Sequence, residues 1–266
     1  MESNIQVEKF NMPIALITLL WAFGGLYMMG KLNLNGYGYG ITYYLVLILL
    51  CGINWRSLRS FFINPVRTPV KAWYKNRKFE LFFLFPALVL GISGLITNLI
   101  YKTNVVQVDP QGLTQMHIGL DSLFLEYLYM PLVVVAEEFF NLVVLAFMYK
   151  GLSNARRIRL PLAIILATSI FGILHVFSWN LDTTLCVGAS HIPYFILLLY
   201  SKNIWFSVIA HLLQNTFGIA TMYDEVLGVL LITIMQLIVM VYYIKSNAKD
   251  MFFFFIGLFK RPRAQN

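Results

Sequence analysis

Glu137 and Glu138 stand side by side in Met130 to Lys150, MPLVVVAEEFFNLVVLAFMYK, a run otherwise almost entirely apolar. A carboxylate in hydrocarbon is costly unless a partner or a water-filled cavity compensates it. Two polar pairs follow at the i, i+4 spacing that puts residues on one helix face: Phe171 with His175, and His211 with Asn215. Asn141 lies one turn beyond Glu137, Thr168 lies on a face near that of His175, and Gly172 leaves room for a close helix approach. Three helices that each carry one polar stripe satisfy all of them by converging. Two carboxylates, two imidazoles and an amide screened from water are suited to hydrolysis. A carboxylate can take a proton from water, and an imidazole can assist it or protonate a leaving amine. His and Asn one turn apart can aim donors at the oxyanion of a tetrahedral intermediate. The same set could instead hold zinc through His, His and Glu, with water as the fourth ligand. Spacing alone leaves both routes open, so the cofactor is undetermined, with a divalent metal such as zinc the candidate.

The elements that must carry these residues are membrane helices. The chain of 266 residues is 59% hydrophobic, with mean hydropathy +0.72, and only 12% of it is charged; a soluble domain has about 25% charged residues. Apolar runs long enough to cross roughly 30 Å of hydrocarbon recur along its length. They predict an all-α polytopic protein of about eight spans: 12–30, 38–54, 79–101, 122–149, 159–179, 183–200, 204–222 and 226–244. Such runs lack the alternation of barrel strands. With the N-terminus cytoplasmic, all but Lys31 and Lys102 of the 20 Lys and Arg residues fall on the inner side. That predicts both termini inside and accounts for the net charge of +8 without a nucleic-acid partner.

Three regions are expected: 1–121, with three spans and a basic loop at 55–78; 122–222, a catalytic core; and 223–266, a last span with a basic interfacial tail. The basic loop reads as a segment lying on anionic lipid, anchored by Trp55, Phe61, Phe62 and Trp73. The N-terminal MESNIQVEKFNMP reads as retained, since acidic residues stand where a signal peptide is basic. Cys51 and Cys186, in separate spans, read as buried thiols. Counted inward at about 1.5 Å per residue from Leu128, Trp179 and Met222, Glu137 lies about 13 Å deep, His175 about 6 Å, Asn215 about 10 Å and His211 about 16 Å. These depths permit one cluster. His191, in the ASHIP of the sixth span, reads as a satisfied core histidine, and Asn141 as a helix-packing amide.

The order Glu-Glu, Phe-x-x-x-His, His-x-x-x-Asn on separate spans resembles the CAAX protease and bacteriocin-processing family of intramembrane proteases. Its members include endopeptidases that trim prenylated CAAX proteins, and bacterial proteins linked to peptide processing or bacteriocin immunity. The resemblance covers about residues 122–222. It implies cleavage of a membrane-associated peptide or lipidated protein; the lack of any organellar targeting or retention sequence separately predicts a bacterial plasma membrane. Glu137 with His175 would activate water, His211 and Asn215 would stabilise the oxyanion, and Glu138 would support the site. Members are often called metalloproteases, and the resemblance also admits a metal-free route. The family's first motif usually reads Glu-Glu-x-x-x-Arg, whereas Leu142 stands at the arginine position. Its absence removes a fixed cation and motivates an alternative reading as a catalytically silent membrane scaffold. A proton-coupled transporter is a further alternative, without the inverted repeats that would support it.

Overall fold

A computed structural model of the chain describes residues 9–32, 37–62, 84–101, 120–155, 158–177 and 181–223, with single positions 226, 230, 233, 234, 237 and 241. Residues 63–83, including Pro65, Pro69 and Trp73, most of the expected eighth span and the tail lie outside the described residues. The described residues form nine α-helices and no strand: α1 (Met12–Leu32), α2 (Tyr37–Ile53), α3 (Trp55–Phe62), α4 (Phe85–Tyr101), α5 (Leu120–Gly151), α6 (Arg159–Leu174), α7 (Leu181–Ser190), α8 (Ile192–Ser201) and α9 (Ile204–Tyr223). A 3₁₀ turn, His175–Phe177, follows α6.

The bundle is built around α5. Its 32 residues make a rod of about 48 Å, longer than the hydrocarbon layer. Leu142 to Ala146 are almost completely buried, because α1, α2, α6 and α9 all pack on this helix. A second apolar cluster joins α4, α8 and α9 through Phe85, Leu88, Tyr194, Leu197 and Phe206. Large apolar side chains such as Leu16, Leu20, Leu49, Leu99, Ile165 and Leu185 face outward. Such a surface needs lipid rather than water around it. Four helical stretches are long and apolar enough to cross a membrane: Met12–Leu32, Tyr127–Gly151, Arg159–Phe177 and Thr184–Ser201; α2 with α3 makes a fifth if counted as one. The protein is an all-helical integral membrane protein, with four or five such candidate spans among the described residues.

Three local features differ from the sequence expectation. The sixth span, expected as one helix, breaks at His191 between α7 and α8. Pro193 is the cause, because it sits in the first turn of α8 and cannot donate to the carbonyl one turn before it. The fifth span is helical only to Leu174, so His175 opens the 3₁₀ turn instead of riding on a continuing helix. Within the basic loop, α3 turns by 100° from α2 at Asn54, leaving Arg56 and Arg59 exposed. Phe61 is not an interface anchor, since it is buried with Leu58 against the core. Trp55 remains exposed at 37%.

Polar contacts tie one end of the bundle together. The Asn11 amide donates to Asn54 Oδ1 at 2.8 Å, Lys150 Nζ to the Phe10 carbonyl at 2.9 Å and Arg159 Nε to the Tyr149 carbonyl at 2.6 Å. Lys9, Arg56, Arg59, Lys150 and Arg159 therefore gather at the same end. Where α6 crosses α7, Gly172 and Gly188 meet: a Cβ on Gly172 would fall 2.7 Å from the Thr184 carbonyl oxygen, and one on Gly188 2.8 Å from that of Thr168. Glycine alone permits that approach, which carries His175 and His191 toward each other. Cys51 and Cys186 are buried and form no disulfide.

Candidate active site

Successive residues on a helix project about 100° apart, so the adjacent glutamates of α5 face different surroundings. The Glu138 side chain is 2% exposed and points into the protein, whereas that of Glu137 is 18% exposed and lines a cavity. His211, from α9, stands between them. Its Nδ1–H donates to Glu138 Oε1 at 2.9 Å, and its Nε2 lies 3.6 Å from Glu137 Oε2. A carboxylate behind one ring nitrogen fixes the ring's orientation and leaves the other nitrogen for chemistry.

His191, from the break between α7 and α8, brings its Nε2 to 3.1 Å from the same Glu138 oxygen. Asn141, one turn from Glu138 on α5, places its amide nitrogen 2.7 Å from His191 Nε2, and its Oδ1 is buried without a partner. The His191 ring stacks on Tyr194, with centroids 4.8 Å apart, and lies 4.2 Å from the Phe171 ring. The Tyr194 hydroxyl donates to Gln214 of α9, and the Ser207 hydroxyl donates to the Tyr194 carbonyl at 3.1 Å.

A cavity of about 390 Å³ opens beside this cluster. Glu137, His175, His191, His211, Gln214 and Asn215 line it together with apolar and aromatic residues of α1, α2 and α5. His175 and Glu137 both line the cavity, with no ion pair between them. The His175 Nδ1–H donates to the Phe171 carbonyl at 2.9 Å, which commits that proton and leaves Nε2 as the acceptor. Asn215 sends its amide toward Met130 Sδ, 3.2 Å away. Because thioether sulfur is a weak acceptor, that amide is easily redirected to a better one.

Glu138, His191 and His211 each offer one ligand atom, and these lie within 4.8 Å of one another. Two imidazoles and a carboxylate on separate helices have the donor chemistry of a zinc centre, so these residues could hold a divalent cation. Of the seven polar residues gathered at the site, adjacency and spacing on single helices identified Glu137, Glu138, His175, His211 and Asn215. They missed His191, whose only sequence signal was a depth, about 12 Å from Thr183, similar to that of the cluster. Read as a core histidine apart from the site, His191 is instead bonded to one of its carboxylates. Asn141 likewise joins the site rather than merely packing helices.

Residues 119–217 match a protein family described as type II CAAX prenyl endopeptidase Rce1-like. No curated protein and no solved structure matches the chain.

Proposed function

From the chain's membership of the CAAX protease and bacteriocin-processing family of intramembrane proteases, which rests on residues 119–217, we propose that it hydrolyses a peptide bond in a membrane-associated peptide or lipidated protein. The observation that carries this reading is the shared cavity: Glu137, His175, His211 and Asn215 line it from α5, the end of α6 and α9. Water between Glu137 and His175 loses its proton to the carboxylate, with His175 Nε2 as a second acceptor. Its oxygen then attacks the scissile carbonyl. The charge that develops on the carbonyl oxygen meets His211 Nε2–H, in the ring protonated on both nitrogens, and the Asn215 amide. As the carbon–nitrogen bond breaks, the proton held by Glu137 passes to the leaving amine. Glu138 stays behind His211, holding the ring and balancing its charge. A zinc ion held by Glu138, His191 and His211 would supply Lewis-acid activation of water.

The finer topology of this reading is eight spans with both termini cytoplasmic in a bacterial plasma membrane. The basic residues gathered at one end of the bundle support that orientation. By sequence, 1–121 and 223–266 would flank the catalytic core at 122–222. The test is cleavage of a peptide library in detergent and in lipid, comparing wild type with Glu137→Ala, with and without a chelator. Cleavage by wild type alone is expected, and the chelator arm separates metal-activated from glutamate-activated water. Equal cleavage by Glu137→Ala would end this mechanism.

Leu142, completely buried, favours a second reading, the catalytically silent scaffold, because no cation occupies the motif's arginine position. That reading requires a Glu137→Gln, His175→Gln double variant to complement a deletion strain, whereas the protease reading requires it to fail at normal expression.

A further inference from the structure

Glu138 is a buried carboxylate with apolar Leu142 where the family motif places arginine. Among the described residues no Lys or Arg pairs with it, and its Oε1 meets two imidazoles instead, those of His211 at 2.9 Å and His191 at 3.1 Å. Of these, only His211 belongs to the motif. His191 comes from the junction between α7 and α8, with Pro193 in the first turn of α8. Its ring is held between Phe171 and Tyr194, and Tyr194 is tied to α9 through Gln214 and Ser207. The ring therefore has little freedom to turn its Nε2 elsewhere.

Hydrogen-bond chemistry assigns the proton. Nε2 cannot both donate to Glu138 and accept from the Asn141 amide nitrogen, yet it lies 3.1 Å from the first and 2.7 Å from the second. Turning the Asn141 amide over places its otherwise unpartnered Oδ1 against Nε2. A single Nε2–H then faces two acceptors, the Glu138 carboxylate and the Asn141 amide oxygen. We propose that His191 is a positioning residue for Glu138. Its Nε2–H, shared with the Asn141 amide oxygen, holds the Glu138 carboxylate, and Glu138 in turn holds His211 with Nε2 toward the cavity. The assignment rests on the protease reading for its consequence in catalysis, but the hydrogen bond itself can be tested without turnover.

Two substitutions separate the N–H from the ring. His191→Phe keeps an aromatic ring between Phe171 and Tyr194 and loses the donor. His191→Gln loses the ring and keeps an amide N–H at about the position of Nε2. In the full-length protein in detergent, His191→Phe is expected to lower kcat about 10²-fold with KM within twofold, as for a displaced catalytic group. His191→Gln should recover most of the loss. The same pair is read by infrared difference spectroscopy, with the Glu138 carboxylate band assigned from Glu138→Gln: the band moves in His191→Phe and stays near its wild-type place in His191→Gln. Active His191→Phe with inactive His191→Gln would make His191 a packing residue and overturn the proposal. Loss of both activities together with loss of one bound zinc per chain would make it a metal ligand and overturn it equally. Wild type that cleaves nothing, but whose carboxylate band responds as described, would sink the protease reading while leaving the hydrogen bond in place; an unresponsive band would sink the bond itself.

Discussion

Glu137 and Glu138 are neighbours in sequence and opposites in structure. Glu138 lies in a closed knot in which two imidazoles meet one carboxylate oxygen and the Asn141 amide meets one of those imidazoles. Glu137 faces a cavity of about 390 Å³ with a single imidazole nitrogen at 3.6 Å. The contrast teaches a division of labour that follows from helix geometry. A step of one residue turns the side chain by about 100°, so one carboxylate is committed to holding and the other is left able to react. His211 joins the two halves because its nitrogens face opposite ways.

The division is broken most decisively if Glu137 proves dispensable. Glu137→Gln should lower kcat about 10³-fold, within the range for loss of a general base, while its melting temperature in detergent stays close to wild type. Glu138→Leu should show the reverse emphasis. Removing one partner of a buried charged cluster costs about 3 kcal/mol or more, so reversible unfolding in mixed micelles should show a clear loss of stability along with lost turnover. If the two variants lose stability equally, the closed and open halves are not distinct.

Smaller effects sharpen the boundary of the open half. Asn215→Ala and His175→Ala should each lower kcat by about 10²-fold, the former as the loss of one oxyanion donor, with stability nearly unchanged since each lines the cavity. A KM rise with unchanged kcat in Asn215→Ala would move that residue to substrate binding. The smallest effect is expected at the helix crossing that brings His175 and His191 close. Gly172→Ala introduces a Cβ 2.7 Å from a backbone oxygen, and overpacking of this kind costs about 1–3 kcal/mol, measurable as a lowered unfolding midpoint. An alanine tolerated at no cost would show that α6 and α7 can separate.

Much of the molecule was legible in its residues. Hydropathy runs declared membrane helices, because backbone groups in lipid have few other ways to be satisfied. The i, i+4 spacing placed His211 with Asn215, since on one helix spacing and face are the same information, and it paired Phe171 with His175 although His175 lies just past the end of α6. Gly172 was legible as a point of close approach, although its counterpart, Gly188, was not. The break at His191 went unread, because an apolar stretch with one proline near its middle scores as a continuous span. The end of α6 at Leu174 was hidden for the same reason, as Val176 and Phe177 continue the apolar run without continuing the helix.

The sequence by itself determined that the chain is an all-helical membrane protein and that Glu137 and Glu138 stand side by side in one apolar run, with His175, His191 and His211 in later ones. Residue type and periodicity are properties of single helices, so composition and spacing suffice for them. Only the tertiary structure decided that Glu138 and not Glu137 is the enclosed carboxylate, that His191 and Asn141 belong to its knot, and that a cavity gathers Glu137, His175, His211 and Asn215. Those facts depend on the rotation of helices about their axes and on a local break at Pro193, which are set by how α5, α6, α8 and α9 pack against one another.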